Sequence, residues 1–340
     1  MSGVPQEVKT LPLIGIAICV CLSLGVTGPL AGAPESLDLK PLFSVSESAT
    51  GQAFRNPQGI GFDPARGEIY VADTGRSQIV VFSRTGVPIA RFQHWVRDSN
   101  EQRVPGEPSA VLPRAGGELL VSDALSDQVD VLDLRGMPTR SINVTAALGR
   151  GTRASPGKMD SDQEGNLYLV ERSSGQVLVF DRDGHFVRSF GRRGKGEGRF
   201  EMIADVAVCA DGSAYVLDSV GTPVVQAFDR KGQFFRGFGR HSNKPEDFHF
   251  PIALTFDADG HLWVADAFSH EVKAYRVSGE FLGSSGDMGT GTGQFFFPSD
   301  VVASPDGTLY VVEKAGRRLQ AFQIIRPRTA GEEVISRPAD

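Results

Sequence analysis

Six acidic residues, Asp73, Asp123, Glu171, Asp218, Asp266 and Glu313, each close a β-rich run, at successive steps of 50, 48, 47, 48 and 47 residues. Carboxylates in such numbers could hold a metal ion, move protons, or accept hydrogen bonds from backbone amides. Recurrence in every unit favours the last, because an acid just past a strand can take the amides of the turn that follows. All six keep step, so none is singled out for catalysis. The richest local concentration of cations is Phe190-Gly-Arg-Arg-Gly-Lys-Gly-Glu-Gly-Arg-Phe200, where glycines free the backbone and two Phe anchor the ends. Such a loop could grip a phosphate, sulfate or carboxylate carried on a chain molecule. Cys209 has no histidine near it in the repeat register and reads as a small buried residue, not a nucleophile.

A period near 48 residues means a propeller, a solenoid or an array. Other landmarks share it. A turn glycine recurs at Gly67, Gly117, Gly165, Gly212, Gly260 and Gly307, and an apolar residue closes a later strand at Phe82, Leu132, Phe180, Phe228, Tyr275 and Phe322. A second glycine follows that strand at Gly86, Gly136, Gly184, Gly232 and Gly279. Each unit alternates with period two, as in Gly67-Glu-Ile-Tyr-Val-Ala-Asp73, and contains four short strands. Four strands per unit is the size of a propeller blade, and no 3.6-residue stripe supports a helical repeat.

These residues resemble the NHL-repeat family of six-bladed β-propellers. The resemblance is carried by Pro251-Ile-Ala-Leu-Thr-Phe-Asp257, Gly260-His-Leu-Trp-Val-Ala-Asp266 and Val179-Phe-Asp-Arg-Asp-Gly184, and spans about residues 50–325. It implies an all-β, six-bladed propeller of four-stranded blades. Blade two departs most, with a longer loop ahead of it. Blade six ends at Gln320-Ala-Phe-Gln-Ile-Ile325 with no outer strand behind it, and an open blade would expose an edge. Leu39-Lys-Pro-Leu-Phe-Ser-Val-Ser46 is expected to supply that strand and close the ring.

The expected organisation is a signal peptide or signal anchor over residues 1–33, a linker and closing strand over 34–48, the propeller over 49–325 and a disordered tail over 326–340. Residues 11–27 are the apolar core of an export signal, short for a membrane span, with Ala31-Gly32-Ala33 as a cleavage site followed by an obstructing Pro34. An uncleaved signal would tether the protein to a membrane. Cys19, after Ile18, only half resembles a lipoprotein box. Of three cysteines, two lie in this stretch, so the mature ring would hold one thiol and no internal disulfide. Asn143-Val-Thr145 is a glycosylation acceptor pattern. The expected location is outside the cytoplasm, periplasmic, extracellular or membrane-anchored. The net charge of −6 is too mild to imply a polyanion partner by itself.

Alternating strand direction puts the loops after each second strand, and the connections between blades, on one face. That loop face would collect Arg76, Arg172, Arg192, Arg193, Lys195, Arg199, Arg240, Lys244, Arg317 and Arg318, while the short Gly turns carry acids such as Asp162, Asp181, Asp257 and Asp306 on the other. The expected function is non-catalytic: a monomeric scaffold recognising a protein or an anionic envelope polymer through the loop face, with no cofactor. Some animal relatives bind single-stranded RNA through this face, but the loops show no obvious stacking aromatics and an exported protein would rarely meet RNA. The alternative is a metal-dependent hydrolase or lyase. The resemblance to amidating lyases implies zinc on inner-strand histidines, yet of His94, His185, His241, His249, His261 and His270 only His249 precedes an inner strand. The resemblance to lactonase-type propellers implies calcium, for which Asn56, Glu201, Asp205 and Asp300 are the best available set.

Overall fold

Period-two alternation broken by Gly turns folds each repeat into an antiparallel meander, as the computed structural model shows for residues 36–48, 51–97, 100–149, 151 and 153–326. Expectations for residues 1–33 and for most of the tail lie outside the described residues.

The chain opens with β1 (Asp38–Val45), then builds blade one from β2 (Pro57–Asp63), β3 (Glu68–Asp73), β4 (Gln78–Ser83) and β5 (Pro88–Gln93). A small hairpin, β6 (Trp95–Arg97) and β7 (Arg103–Pro105), precedes blade two, made of β8 (Pro108–Arg114), β9 (Glu118–Asp123), β10 (Gln128–Asp133) and β11 (Pro138–Asn143). A one-turn helix, α1 (Val144–Leu148), follows, with Asn143 Oδ1 accepting from the Ala146 amide at 3.0 Å. Blade three is β12 (Pro156–Ser161), β13 (Leu167–Glu171), β14 (Gln176–Phe180) and β15 (Phe186–Phe190); blade four is β16 (Ile203–Val208), β17 (Ala214–Asp218), β18 (Val225–Phe228) and β19 (Phe234–Phe238). Blade five is β20 (Pro251–Phe256), β21 (Leu262–Asp266), β22 (Glu271–Tyr275) and β23 (Phe281–Ser285), and the last blade contributes β24 (Pro298–Ala303), β25 (Thr308–Glu313) and β26 (Arg318–Ile325).

The fourth strand of that last blade is β1, antiparallel to β26 from Asp38↔Ile325 to Val45↔Leu319. The front of the chain thus closes the ring, as the missing outer strand requires. Leu37 adds a backbone bond to the Leu282 carbonyl at 2.9 Å, and Leu37 and Leu39 are buried against blade five.

The core consists of six apolar clusters, one in each gap between neighbouring blades. Side chains on both faces of each sheet are therefore buried, which explains runs such as Leu167-Tyr-Leu-Val170 with no polar residue between. The glycines after the third strands have a packing reason as well as a turn conformation. Gly86, at φ +80°, lies under the Phe43 ring of β1, where a Cβ would come within 2.5 Å of the ring. Gly136 lies in the same way under Phe92 of blade one.

Candidate functional site

The six repeated acids are structural, and their reach exceeds the turn expected for them. Asp218 Oδ2 and Oδ1 accept from the amides of Glu201 and Met202, at 2.7 and 2.9 Å, ahead of the blade's own inner strand, and Oδ1 also accepts from Val220 and Gly221 at 3.2 and 2.9 Å. Asp73 takes the amides of Arg55 and Asn56, Glu171 those of Ser155, Ser173 and Ser174, Asp266 those of His249 and Phe250, and Glu313 that of Phe296. Each carboxylate pins two loops of its blade at the loop face. Asp123 departs from this scheme: it accepts from the Leu125 amide alone, at 2.8 Å, and its Oδ2 faces a buried imidazole.

Inner strands line a channel cavity of about 450 Å³. Lys158, third residue of β12, extends into it with Nζ 2.6 Å from Asp300 Oδ1 and 3.7 Å from Asp205 Oδ2. The carboxylates also fasten neighbouring inner strands. Asp160 accepts from the Val208 amide at 2.8 Å, Asp205 from Leu254 at 3.0 Å, and Asp300 from Ile60 at 2.9 Å. Burial pushes the Asp160 carboxyl up to about 6. It also pushes Asp205 well above the usual carboxylate range, against the pull of Lys158.

The four residues weighed for calcium do not make a cation site. The Lys158 ammonium already stands between Asp205 and Asp300, and Glu201 pairs with Lys195 at 3.4 Å, while Asn56 sits at the loop-face end, its backbone N–H donating to Asp73. The histidines do not converge either. His185 and His261 bind the turn acids Asp181 and Asp257 at 3.0 and 3.1 Å, His241 meets the Gly221 carbonyl, His249 meets Asn243, and His270 accepts from the Phe297 amide. Cys209 lies just past β16, in the turn to β17, where burial raises its thiol.

On the loop face most of the expected cations are engaged. Arg76 donates to the Ala53 carbonyl at 2.6 Å, Arg172 to that of Pro156 at 2.5 Å, and Arg193 to that of Arg172 at 2.9 Å. Arg240 and Lys244 face Asp247 and Glu246 at 3.4 and 3.9 Å. Arg318 does not belong to the exposed set: it is buried, 2.6 Å from Glu313, and donates to the carbonyls of Thr290 and Gln294. Among the described residues, exposed Arg192, Arg199 and Arg317 have no carboxylate partner.

The absence of stacking aromatics was a wrong expectation. Phe268, 59% exposed on the loop after β21, stacks on Phe250 at 4.8 Å and meets Phe297 edge-on at 5.9 Å. Phe297 holds φ +57°, uncommon for a residue with a side chain, and its ring sits 4.8 Å from His270. Leu125 and Val220, exposed in the corresponding loops of blades two and four, stand like Phe268 two residues past the repeated acid. That column, Gly75, Leu125, Ser173, Val220, Phe268 and Ala315, varies inside a constant frame. Such variation in a fixed position was the available signal.

Fold and repeat together define an NHL-repeat six-bladed β-propeller. Residues 54–82 match the NHL repeat family, and residues 160–237 match a family described as a 6-bladed beta-propeller. The protein brain tumor of Drosophila melanogaster is 24% identical over 139 residues, which cover 41% of this chain and 12% of that protein. A gluconolactonase of Xanthomonas campestris superposes with TM-score 0.60 at 13% identity, covering 86% of this chain and 95% of its own. Virginiamycin B lyase of Staphylococcus aureus superposes with TM-score 0.56 at 12% identity, covering 86% of this chain and all of its own. At such identities the two superpositions speak to the shared fold alone.

Proposed function

We propose that the protein is a non-catalytic recognition module acting outside the cytoplasm, whose loop face holds a protein or an anionic envelope polymer. The observation that carries this reading is the Phe250–Phe268–Phe297 cluster, capped by exposed Phe268, on the same face as the uncompensated Arg192, Arg199 and Arg317. Aromatic and arginine side chains anchor interfaces, and single charges add affinity that falls with salt. Six blades hold these loops rigidly, so binding needs little change of shape.

The test is capture of envelope components on immobilised protein, with Phe268→Ser and the triple change of Arg192, Arg193 and Lys195 to Ser. Both variants are expected to keep the wild-type melting temperature, Phe268→Ser to lose capture, and the triple variant to bind with a weaker salt dependence, the remainder coming from Arg199 and Arg317. Undiminished capture by both would move the site off this face. Recovery of the native protein from the cytoplasmic fraction would refute the location.

The channel cavity with Lys158 and Asp160 supports a second reading, a small-molecule hydrolase or lyase. Metal analysis of the purified protein, then an ester and lactone panel with and without chelator, separates the two. Turnover lost in Lys158→Met would favour the channel.

A further inference from the structure

Blade two departs from the other blades in two ways, at one place. The first concerns the repeated acid. Where five blades offer it one or two amides ahead of the inner strand, the Gly106 amide of blade two is diverted to the His94 carbonyl at 3.1 Å. His94, arriving from the inserted segment before β6, fills the space beside Asp123 instead. The second concerns the position two before the apolar residue that closes each third strand, which is Val80 and Leu178 in blades one and three. In blades four to six it holds Gln226, Lys273 and Gln320, whose N–H groups donate to carbonyls of the connection at 2.7, 2.5 and 2.8 Å. In blade two it holds Asp130, the one carboxylate in this column and an acceptor where blades four to six have donors.

The result is an undercompensated anionic spot. His94 is 2% exposed, its Nε2 lies 3.3 Å from Asp123 Oδ2 and 3.5 Å from Asp130 Oδ2, and neither Nε2 nor Asp123 Oδ2 makes a hydrogen bond. Even a protonated imidazole cannot balance two carboxylates, and burying net charge without a partner is costly. Burial accordingly raises the Asp130 carboxyl.

This spot forms the floor of a cleft of about 710 Å³ between the β6–β7 hairpin and strands β10 and β11. His94 and Asp130 both line it, and the Asp130 side chain keeps 21% exposure there. Apolar side chains gather at its rim: Trp95, Leu125 and Met137 are 40%, 43% and 61% exposed. The rim arginines are already engaged, Arg97 with the Glu101 carbonyl, Arg140 with Glu118, Arg153 with the Leu125 carbonyl and Arg103 over the Trp95 ring.

We propose that this cleft binds an amphipathic organic cation, with a primary ammonium against Asp130 and its apolar part on Trp95, Leu125 and Met137. The ammonium supplies the donors and the charge that the floor lacks. The apolar rim selects an organic ion over sodium or potassium. The site does not draw on the Phe250–Phe268–Phe297 cluster or on Arg192, Arg199 and Arg317, although Leu125 belongs to the same row of loops.

Ligand-observed NMR titration of the full chain tests it, using phenethylammonium, hexylammonium and agmatine, with phenethyl alcohol and phenylpropionate as controls. At least one ammonium probe is expected to saturate, and the alcohol and the carboxylate are not. Asp130→Asn should weaken that probe at least tenfold. Met137→Lys alters a mostly exposed residue and leaves the floor intact, so it should fold normally and also weaken binding. Saturation by none of the cations, equal binding of the alcohol, full competition by potassium chloride, or binding unchanged in both variants overturns the proposal.

Discussion

The ammonium of Lys158 lies 2.6 Å from Asp300 Oδ1, so one side chain ties blade three to blade six across the channel. It also stands 3.7 Å from Asp205, giving two buried carboxylates a shared counter-ion. Lys158→Met is expected to cost about 3 kcal/mol at pH 8, the low end for breaking a buried pair because channel water reaches the nitrogen. At pH 5 the loss should be smaller, since a protonated Asp205 needs no counter-charge. Urea unfolding at the two pH values checks this; equal losses would mean that Lys158 contributes packing alone.

Asp160 has a folded-state carboxyl raised to about 6 by burial, above its unfolded value. Its contribution is therefore fully present below the unfolded value near pH 4 and is lost as pH rises through 6. Because the residue has some access to channel water, the loss is on the order of 1–2 kcal/mol. Asp160→Asn should remove that part of the pH dependence and narrow or reverse its deficit at pH 8. A difference between wild type and variant that stays constant from pH 4 to 8 would refute the assignment.

Removal of residues 37–48 takes away β1 together with the buried Leu37 and Leu39. Those two side chains alone should cost about 4 kcal/mol, with the exposed edge of β26 adding a tendency to associate. Thermal unfolding and light scattering of the truncated chain measure both. A melting point equal to that of the full chain would mean that the closing strand contributes nothing.

Asp218 accepts from four amides and Asp123 from one, so equivalent positions should differ sharply in sensitivity. Asp218→Ala is expected to cost more than about 3 kcal/mol, because each buried amide left without an acceptor costs about 1–3 kcal/mol. Asp123→Ala should cost much less, and part of that is returned by relief of repulsion with Asp130. Paired denaturation curves decide it. Equal losses would show that the two acids do the same work despite their different partners.

What repeats was legible in the sequence, and what breaks the repeat was not. The acids, the glycines under Phe43 and Phe92, and the closing strand are all local patterns with a fixed step, so periodicity reveals them. Lys158 was passed over because the third position of the inner strands reads Gly59, Ala110, Lys158, Asp205, Ala253 and Asp300, a column whose meaning appears only when opposite blades face each other. The loop-face aromatic cluster joins residues from two neighbouring blades, five and six, each unremarkable in its own row. His94 was the hardest case. Asp123 keeps step to within three residues, and its altered partner comes from the segment that lengthens that step to 50.

The pairing of Asp38 with Ile325 places both exits of the ring side by side on the last blade. Strand direction puts that shared exit at the short-turn end, opposite the loops that carry Phe268 and Arg192. A segment leaving the ring at Asp38 or Ile325 therefore departs from the short-turn end, with the aromatic and cationic loops at the other end.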